Sequence, residues 1–256
     1  MAGSLLFDLS PEGIATLTFN RPQAHNALDL ETMRQFAGLI PQLARDSRVR
    51  ALVLTGAGRS AFCSGGDVVE LSQYPLMEDG AYMSGLMSEA LLALERLPVP
   101  VIAAINGYAL GGGSEIAVAC DLRLVEEQIR MGFVQARLGL TPGWGGGQRL
   151  MRLVGYARAM EILLEARLLT AEELLRLGLA SRIVPAGQAL PQALAFAQQV
   201  AQLPPGVVRA IKTLLQAGIR ESYEQALQTE RAVFPPLWAS DAHVRAVEKF
   251  LNREKP

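Results

Sequence analysis

Apolar positions recur along the chain with two periods. Leu5–Leu9 and Ile14–Phe19 read as short strands around Ser10-Pro11-Glu12-Gly13, and Asn20-Arg21-Pro22 ends the second. Thr32, Met33, Phe36, Leu39, Ile40 and Leu43 fall on one side of a helix over Leu30–Arg45, with Asp29 as its N-cap. Ala51-Leu52-Val53-Leu54-Thr55, Val101-Ile102-Ala103-Ala104-Ile105 and Leu122-Arg123-Leu124-Val125 read as strands, the first two as continuous apolar runs of the buried type. Residues 56–67 read as a loop opening a helix over 68–72, and a helix over 81–97 is stopped by Pro98 and Pro100. Beyond a glycine-rich turn at 139–147, helices are predicted near 148–153, 157–164 and 171–177, with Ile183-Val184 a short strand end. The tail, 190–253, reads as helical with breaks at Pro204-Pro205 and Pro235-Pro236. Strands alternating with helices predict an α/β fold with a parallel sheet covered on both faces. The all-helical last quarter is too amphipathic to stand alone and is expected to pack on the core or on another subunit.

Composition narrows the function classes. The 256 residues carry a formal net charge of −1, and half are hydrophobic. One sizeable domain, with a smaller appendage, is expected. No basic excess points to nucleic acid. The longest apolar stretches fall far short of the ~20 residues that span a bilayer, and Leu5-Leu6-Phe7 is too short for a signal peptide. Cys63 and Cys120 fit neither a metal spacing nor a disulfide framework, so they read as packing residues in a reduced, cytoplasmic protein.

The candidate chemistry centres on residues 106–121, Asn-Gly-Tyr-Ala-Leu-Gly-Gly-Gly-Ser-Glu-Ile-Ala-Val-Ala-Cys-Asp. Three consecutive glycines lead from an apolar strand into a helix, leaving backbone N–H groups that no Cβ covers. A helix N-terminus adds unpaired donors and partial positive charge. Cys63-Ser64-Gly65-Gly66-Asp67 repeats the design. If both corners face one cleft, each supplies one N–H to a single oxygen, which is an oxyanion hole built from backbone donors. Neither corner has the spacing of a dinucleotide or P-loop fingerprint, so NAD and ATP are disfavoured. Glu115 stands in the first turn beside the site. Taken alone, such a glycine turn also fits a purely structural role, and Glu115 a dipole partner.

Taken together the motifs resemble the crotonase superfamily, the enoyl-CoA hydratase/isomerase family. The resemblance rests on Asn20-Arg21-Pro22 with Asn26-Ala27-Leu28, Leu54-Thr55-Gly56, and Phe62-Cys63-Ser64-Gly65-Gly66-Asp67. It continues through Pro100 to Gly107, Gly111 to Glu115, Cys120-Asp121, Pro142-Gly143-Trp144-Gly145-Gly146-Gly147-Gln148-Arg149-Leu150 and Gly178-Leu179-Ala180. Order and spacing hold over residues 5–185. The resemblance implies a crotonase (ClpP-like) ββα spiral core over residues 1–200, carrying the acyl-CoA site. It implies a helical oligomerisation region over 201–256 that builds a homotrimer or a dimer of trimers. Coenzyme A enters as part of the substrate, with no separate cofactor and no metal. The oxyanion hole carries over to the N–H groups of Gly66 and Gly112. The CoA side falls near Ala24, His25 and the segment Ser64, Gly65, Asp67 and Val68; Gln135 and Trp144 are also placed among the substrate-binding positions, Trp144 reading equally as a pocket wall or as core filling.

One position departs from the pattern. Hydratases of this family carry two glutamates; one falls on Glu115, the other on Gln135. Glutamine orients water but takes no proton. A single acid looks more like the decarboxylase branch, which acts on methylmalonyl- or ethylmalonyl-CoA, and Trp144 in the glycine turn resembles the ethylmalonyl-CoA type. The expected function is therefore a lyase of acyl-CoA metabolism in which Glu115 protonates the enolate or orients the departing carboxylate. The alternatives are an enoyl-CoA hydratase and a non-catalytic CoA- or RNA-binding homologue. Asp67 is expected to cap the helix after its corner, Asp121 to tether the end of the opening helix, and His25 to contact CoA or solvent. Lys249 and Arg253 on the last helix are read as solvated, with CoA phosphates as the other option.

Overall fold

The computed structural model describes residues 3–252, which divide into two compact units between Gln198 and Gln199. In the first unit β1 (Leu5–Leu9) pairs antiparallel with β2 (Ile14–Phe19), followed by α1 (Leu30–Arg45). Next come β3 (Ala51–Gly56), β4 (Ala61–Cys63), α2 (Val68–Leu71) and α3 (Met77–Glu95). The next turn of chain supplies β5 (Val101–Ile105), β6 (Tyr108–Leu110) and α4 (Gly112–Ala119), and the following one β7 (Leu122–Glu126) and β8 (Arg130–Gly132). A 3-10 turn (Gln135–Leu138) leads to α5 (Gly146–Val154), α6 (Tyr156–Glu165), β9 (Leu169–Thr170), α7 (Ala171–Arg176), β10 (Arg182–Val184) and α8 (Ala189–Gln202), inside which the division between the units falls.

The strands sort into two sheets, alternating between them from β3 to β8. One has the order β1-β2-β3-β5-β7-β10 and the other β4-β6-β8-β9. From β3 to β8 each pass of the chain lays one strand in the large sheet and one in the small sheet before the next helical segment, which is the ββα spiral. The large sheet is apolar on both faces. Leu52, Leu54, Val101, Ala103 and Ile105 join one core with Met33, Phe36 and Ile40 of α1 and Met87, Leu91 and Leu94 of α3. Alternate residues Ala51, Val53, Ile102, Ala104 and Leu124 meet Ala189, Ala193 and Ala197 of α8 on the other face. Both faces are covered, so β3 and β5 are continuous apolar runs rather than alternating ones. Fully burying a side chain such as Leu52 contributes about 1.5–3 kcal/mol.

Three local expectations are corrected. Residues 56–67 are not all loop, because Ala61–Cys63 forms β4. The strand directly before the glycine corner at 111–113 is β6, not the apolar run of β5, and α4 starts at Gly112. These small-sheet strands are too short to show a period, and they exist because they pair with one another. Helix α3 begins at Met77, four residues earlier than predicted, where the Asp79 side chain accepts from the Leu76 N–H at 3.1 Å.

The second unit holds α9 (Pro205–Arg220), α10 (Tyr223–Trp238) and α11 (Asp241–Leu251). The predicted break at Pro204-Pro205 is present, with Pro205 at the first helical position, where a missing N–H is harmless. The predicted break at Pro235-Pro236 is not. Both prolines lie in the last turn of α10 and the helix runs through them. The chain turns instead where Ser222 and Ser240 cap α10 and α11, accepting from the N–H groups of Gln225 and His243. Among the described residues no helix is long and apolar enough to cross a membrane.

Candidate active site

Strands β4, β6 and β8 lie side by side and parallel, with Cys63 opposite Ala109 and Leu110 opposite Gly132. Three segments therefore leave the same edge of the small sheet: Gly65-Gly66, Gly111-Gly112 and, just beyond Phe133-Val134, Gln135. Gly65 (φ +95°) and Gly111 (φ +53°) adopt backbone conformations that side chains resist. The approach between the first two corners is close. A Cβ on Gly65 would stand 2.9 Å from the Gly112 nitrogen and 3.0 Å from the Leu110 carbonyl oxygen.

Both corners keep an N–H out of the local ladders. Leu28 bridges to Gly66 as a parallel pair, its N–H donating to the Gly65 carbonyl at 2.8 Å and its carbonyl accepting from the Asp67 N–H at 2.9 Å. That pairing uses the groups on either side of Gly66 and not the Gly66 N–H. Gly112 opens α4, so its N–H belongs to the helix terminus, where no intrahelical acceptor exists. The Ser114 hydroxyl donates to the carbonyls of Ala109 and Gly132 at 2.8 and 2.9 Å, pinning this end of α4 to β6 and β8. The Trp144 ring lies against both corners. A Cβ on Gly112 would run into its six-membered ring, 2.8 Å from Cε3, and a Cβ on Gly66 would stand 4.0 Å from Cζ2.

Glu115 is buried in α4. Its Oε1 accepts from Gln135 Nε2 at 2.9 Å and the Gly143 N–H at 3.3 Å; its Oε2 accepts from the N–H groups of Trp144 at 2.8 Å and Gly146 at 2.7 Å. None of these four partners is ionisable. Burial pushes the Glu115 carboxyl above the usual glutamate range, and the four hydrogen bonds oppose that shift without reversing it. The glycine-rich turn is thus a cradle for this carboxylate: a Cβ on Gly146 would stand 2.8 Å from Glu115 Oε2. Outer contacts brace the cradle. The Ser84 hydroxyl donates to the Gly143 carbonyl at 2.6 Å, and Arg149 donates to the Trp144 carbonyl at 3.0 Å while pairing with Glu95 at 2.9 Å.

Arg21, to which the sequence motifs assign no role, is an ion-pair hub. Its Nη1 meets Asp67 Oδ2 at 2.8 Å and donates to the Ala27 carbonyl at 2.8 Å, while Nε meets Asp29 Oδ2 at 3.2 Å. Asp29 caps α1 and Asp67 caps α2, so one guanidinium ties together both ends of the segment that frames Gly66. The available clue was a lone arginine in a turn with an aspartate before each of two helices. Burial raises the Asp67 carboxyl, but Arg21 and the N–H groups of Glu70 and Val69 outweigh it, and the net direction is down. A lowered carboxyl stabilises the fold above its unfolded value of about 3.9, and that contribution is lost as pH falls through the folded value. Arg21→Ala is therefore expected to lower stability at neutral pH by about 1.5–3 kcal/mol. Urea unfolding from pH 7 to pH 3 should show this gap closing on the acid side. A gap that stays constant across the range would rule out the coupling to Asp67.

The remaining predicted positions fall as follows. Ala24 ends a 3-10 turn (Pro22–Ala24), and the exposed His25 sits in the left-handed region at φ 51°. The His25 carbonyl accepts from the Ser64 N–H at 3.1 Å, so the Ala24-His25 and Ser64-Gly65 segments are adjacent. Val68 opens α2 and is 59% exposed. Asp67 is engaged as a cap and an ion-pair partner. Cys63 is fully buried, its thiol pushed up to about 12 by burial, and Cys120 is buried. Asp121 accepts from the Val101 N–H at 2.7 Å, tying the end of α4 to the start of β5. Lys249 lies on α11, and Arg253 lies outside the described residues.

Two preset N–H donors, one buried carboxylate, a carboxamide and an indole wall suit a reaction that builds negative charge on a carbonyl oxygen. A family model described as enoyl-CoA hydratase/isomerase matches residues 10–256. The chain is 36% identical to a short-chain-enoyl-CoA hydratase of Clostridium acetobutylicum, covering 96% of this chain and 95% of that one. It is 35% identical to an ethylmalonyl-CoA decarboxylase of Xenopus laevis, covering 96% and 83%. The crystal structure of enoyl-CoA hydratase from Bacillus anthracis superposes with a TM-score of 0.93 at 31% identity, covering 99% and 98%.

Proposed function

The chain belongs to the enoyl-CoA hydratase/isomerase family, and on that premise we propose that it decarboxylates a methylmalonyl- or ethylmalonyl-type CoA thioester. The reading rests on one observation. Where a second acid would stand, Gln135 instead donates its amide to Glu115. Adding water across a double bond needs one group to activate the water and another to exchange the α-proton. Such general acid–base help is worth about 10²–10⁴, or roughly 3–5.5 kcal/mol. Decarboxylation needs no base: the carbon–carbon bond breaks, CO2 leaves, and the electron pair passes into the thioester enolate. The Gly66 and Gly112 N–H groups would meet the charge that appears on the thioester oxygen. The Trp144 ring beside them is an apolar wall, which favours neutral CO2 over a carboxylate. The relative named ethylmalonyl-CoA decarboxylase supports this reading at 35% identity. Hydration is the second reading, supported by the Clostridium hydratase at 36% identity.

This proposal includes a trimer or a dimer of trimers working in the cytoplasm, with CoA carried by the substrate. Methylmalonyl-CoA, ethylmalonyl-CoA and crotonyl-CoA offered separately, with products followed by mass spectrometry, are expected to give CO2 release from the first two. Hydration of crotonyl-CoA at ordinary enzyme rates, with no CO2 from either malonyl-type substrate, would reject the decarboxylase reading.

A further inference from the structure

Gln135 is satisfied at one end only. Its Nε2 donates to Glu115, while its Oε1 is buried and has no hydrogen-bond partner among the described residues. A buried carboxamide oxygen without a donor is rare and calls for an explanation. The Glu115 carboxylate only accepts, and three backbone N–H groups besides Gln135 already converge on it, so the nitrogen end of the amide faces Glu115 and the oxygen faces away. The amide carbon lies 3.9 Å from where a Cβ on Gly111 would stand, one residue from the Gly112 N–H. A thioester oxygen on that N–H would sit roughly 2.9 Å from its nitrogen, and the α-carbon is only two bonds further on. An acceptor in this place repels a carboxylate, which also only accepts. It suits a molecule that brings two O–H bonds.

The geometry points to Gln135 as the positioning residue for the proton that completes the reaction: its Oε1 holds a water by one O–H and directs the other at the α-carbon. The inference rests on the decarboxylase reading and extends it. After CO2 has left, a water O–H bond breaks and its proton forms the new C–H bond with the enolate electron pair. The hydroxide then takes a proton from solvent. Glu115, with each of its oxygens already accepting two hydrogen bonds, takes no part in this proton transfer.

Turnover of methylmalonyl-CoA in D2O tests this through the configuration of deuterium at C2 of the propionyl-CoA formed. A held water delivers to one face, so the native enzyme is expected to give one enantiomer in large excess. Gln135→Met removes the acceptor; the excess should fall toward zero and kcat by about 10² or more, with KM little changed. Gln135→Asn, which retracts the oxygen but keeps the amide, should give an intermediate excess. CO2 release with racemic product from the native enzyme would overturn the water assignment and leave the decarboxylase reading standing. An undiminished excess in Gln135→Met would do the same. Absence of CO2 release would remove both.

Discussion

Gly112→Ala is expected to lower kcat/KM by about 10²–10³ while leaving the protein folded. The backbone tolerates the change, since Gly112 is the first residue of α4 and alanine is favoured over glycine in helices by about 1 kcal/mol. The new Cβ, however, runs into the six-membered ring of Trp144. That ring is buried in the core, and the backbone N–H of the same residue holds Glu115 Oε2, so a shift of Trp144 large enough to move its backbone disturbs the glutamate cradle as well. Either the ring moves or the Gly112 N–H turns away. Loss of one preset donor is worth about 10²–10³, and a misplacement of about 1 Å is worth about 10². The double variant Gly112→Ala/Trp144→Ala makes room for the methyl group and should lose less than the two single effects combined. Steady-state kinetics beside a thermal melt decide it. Native-like kcat/KM in Gly112→Ala would mean that this N–H is not where charge is stabilised.

Glu115→Gln is expected to lower kcat by about 10², the cost of a misplacement of about 1 Å, because Glu115 holds Gln135 and the glycine-rich turn in place. Physically, the carboxylate is acceptor-only and serves four donors. A glutamine there turns an NH2 group onto two of them. Buried donors left facing a donor destabilise by about 1–3 kcal/mol, which in a unit this large lowers Tm by about 2–4 °C for each kcal/mol. The pH profile separates charge from shape. Burial raises the Glu115 carboxyl, so on acidification it protonates before an ordinary glutamate of about 4.3 would. If its charge is required, the acid limb of kcat/KM lies above that value in the native enzyme and is absent from Glu115→Gln. An acid limb unchanged in the variant would assign it to another group.

Much of the large sheet was legible. Apolar runs such as 101–105 pack on both faces, and that demand is written into every residue of the strand. Helix α1 was legible to the residue because Asp29 caps it and its apolar stripe is regular. The small sheet was not legible, since β4, β6 and β8 are three residues each and carry no period. The run through Pro235-Pro236 was missed because a proline's effect depends on where in the helix it falls, and here the ends are chosen by Ser222 and Ser240. The Arg21 tie was legible only as an arginine in a turn and an aspartate before each of two helices; that the three meet depends on contacts between segments far apart in the chain.

The amino-acid order alone determined which groups are on offer: bare glycine amides at two corners, one acid at Glu115 and an amide at Gln135. Those are local facts, since a left-handed backbone or a missing carboxyl is decided within a residue or two. Only the tertiary structure decided that they meet. Parallel pairing of β4, β6 and β8 brings Gly66, Gly112 and Gln135 to one edge, and the turn at 143–146 folds back to seat Glu115. Such convergence comes from hydrogen bonds between strands far apart in the chain, and no local preference encodes it.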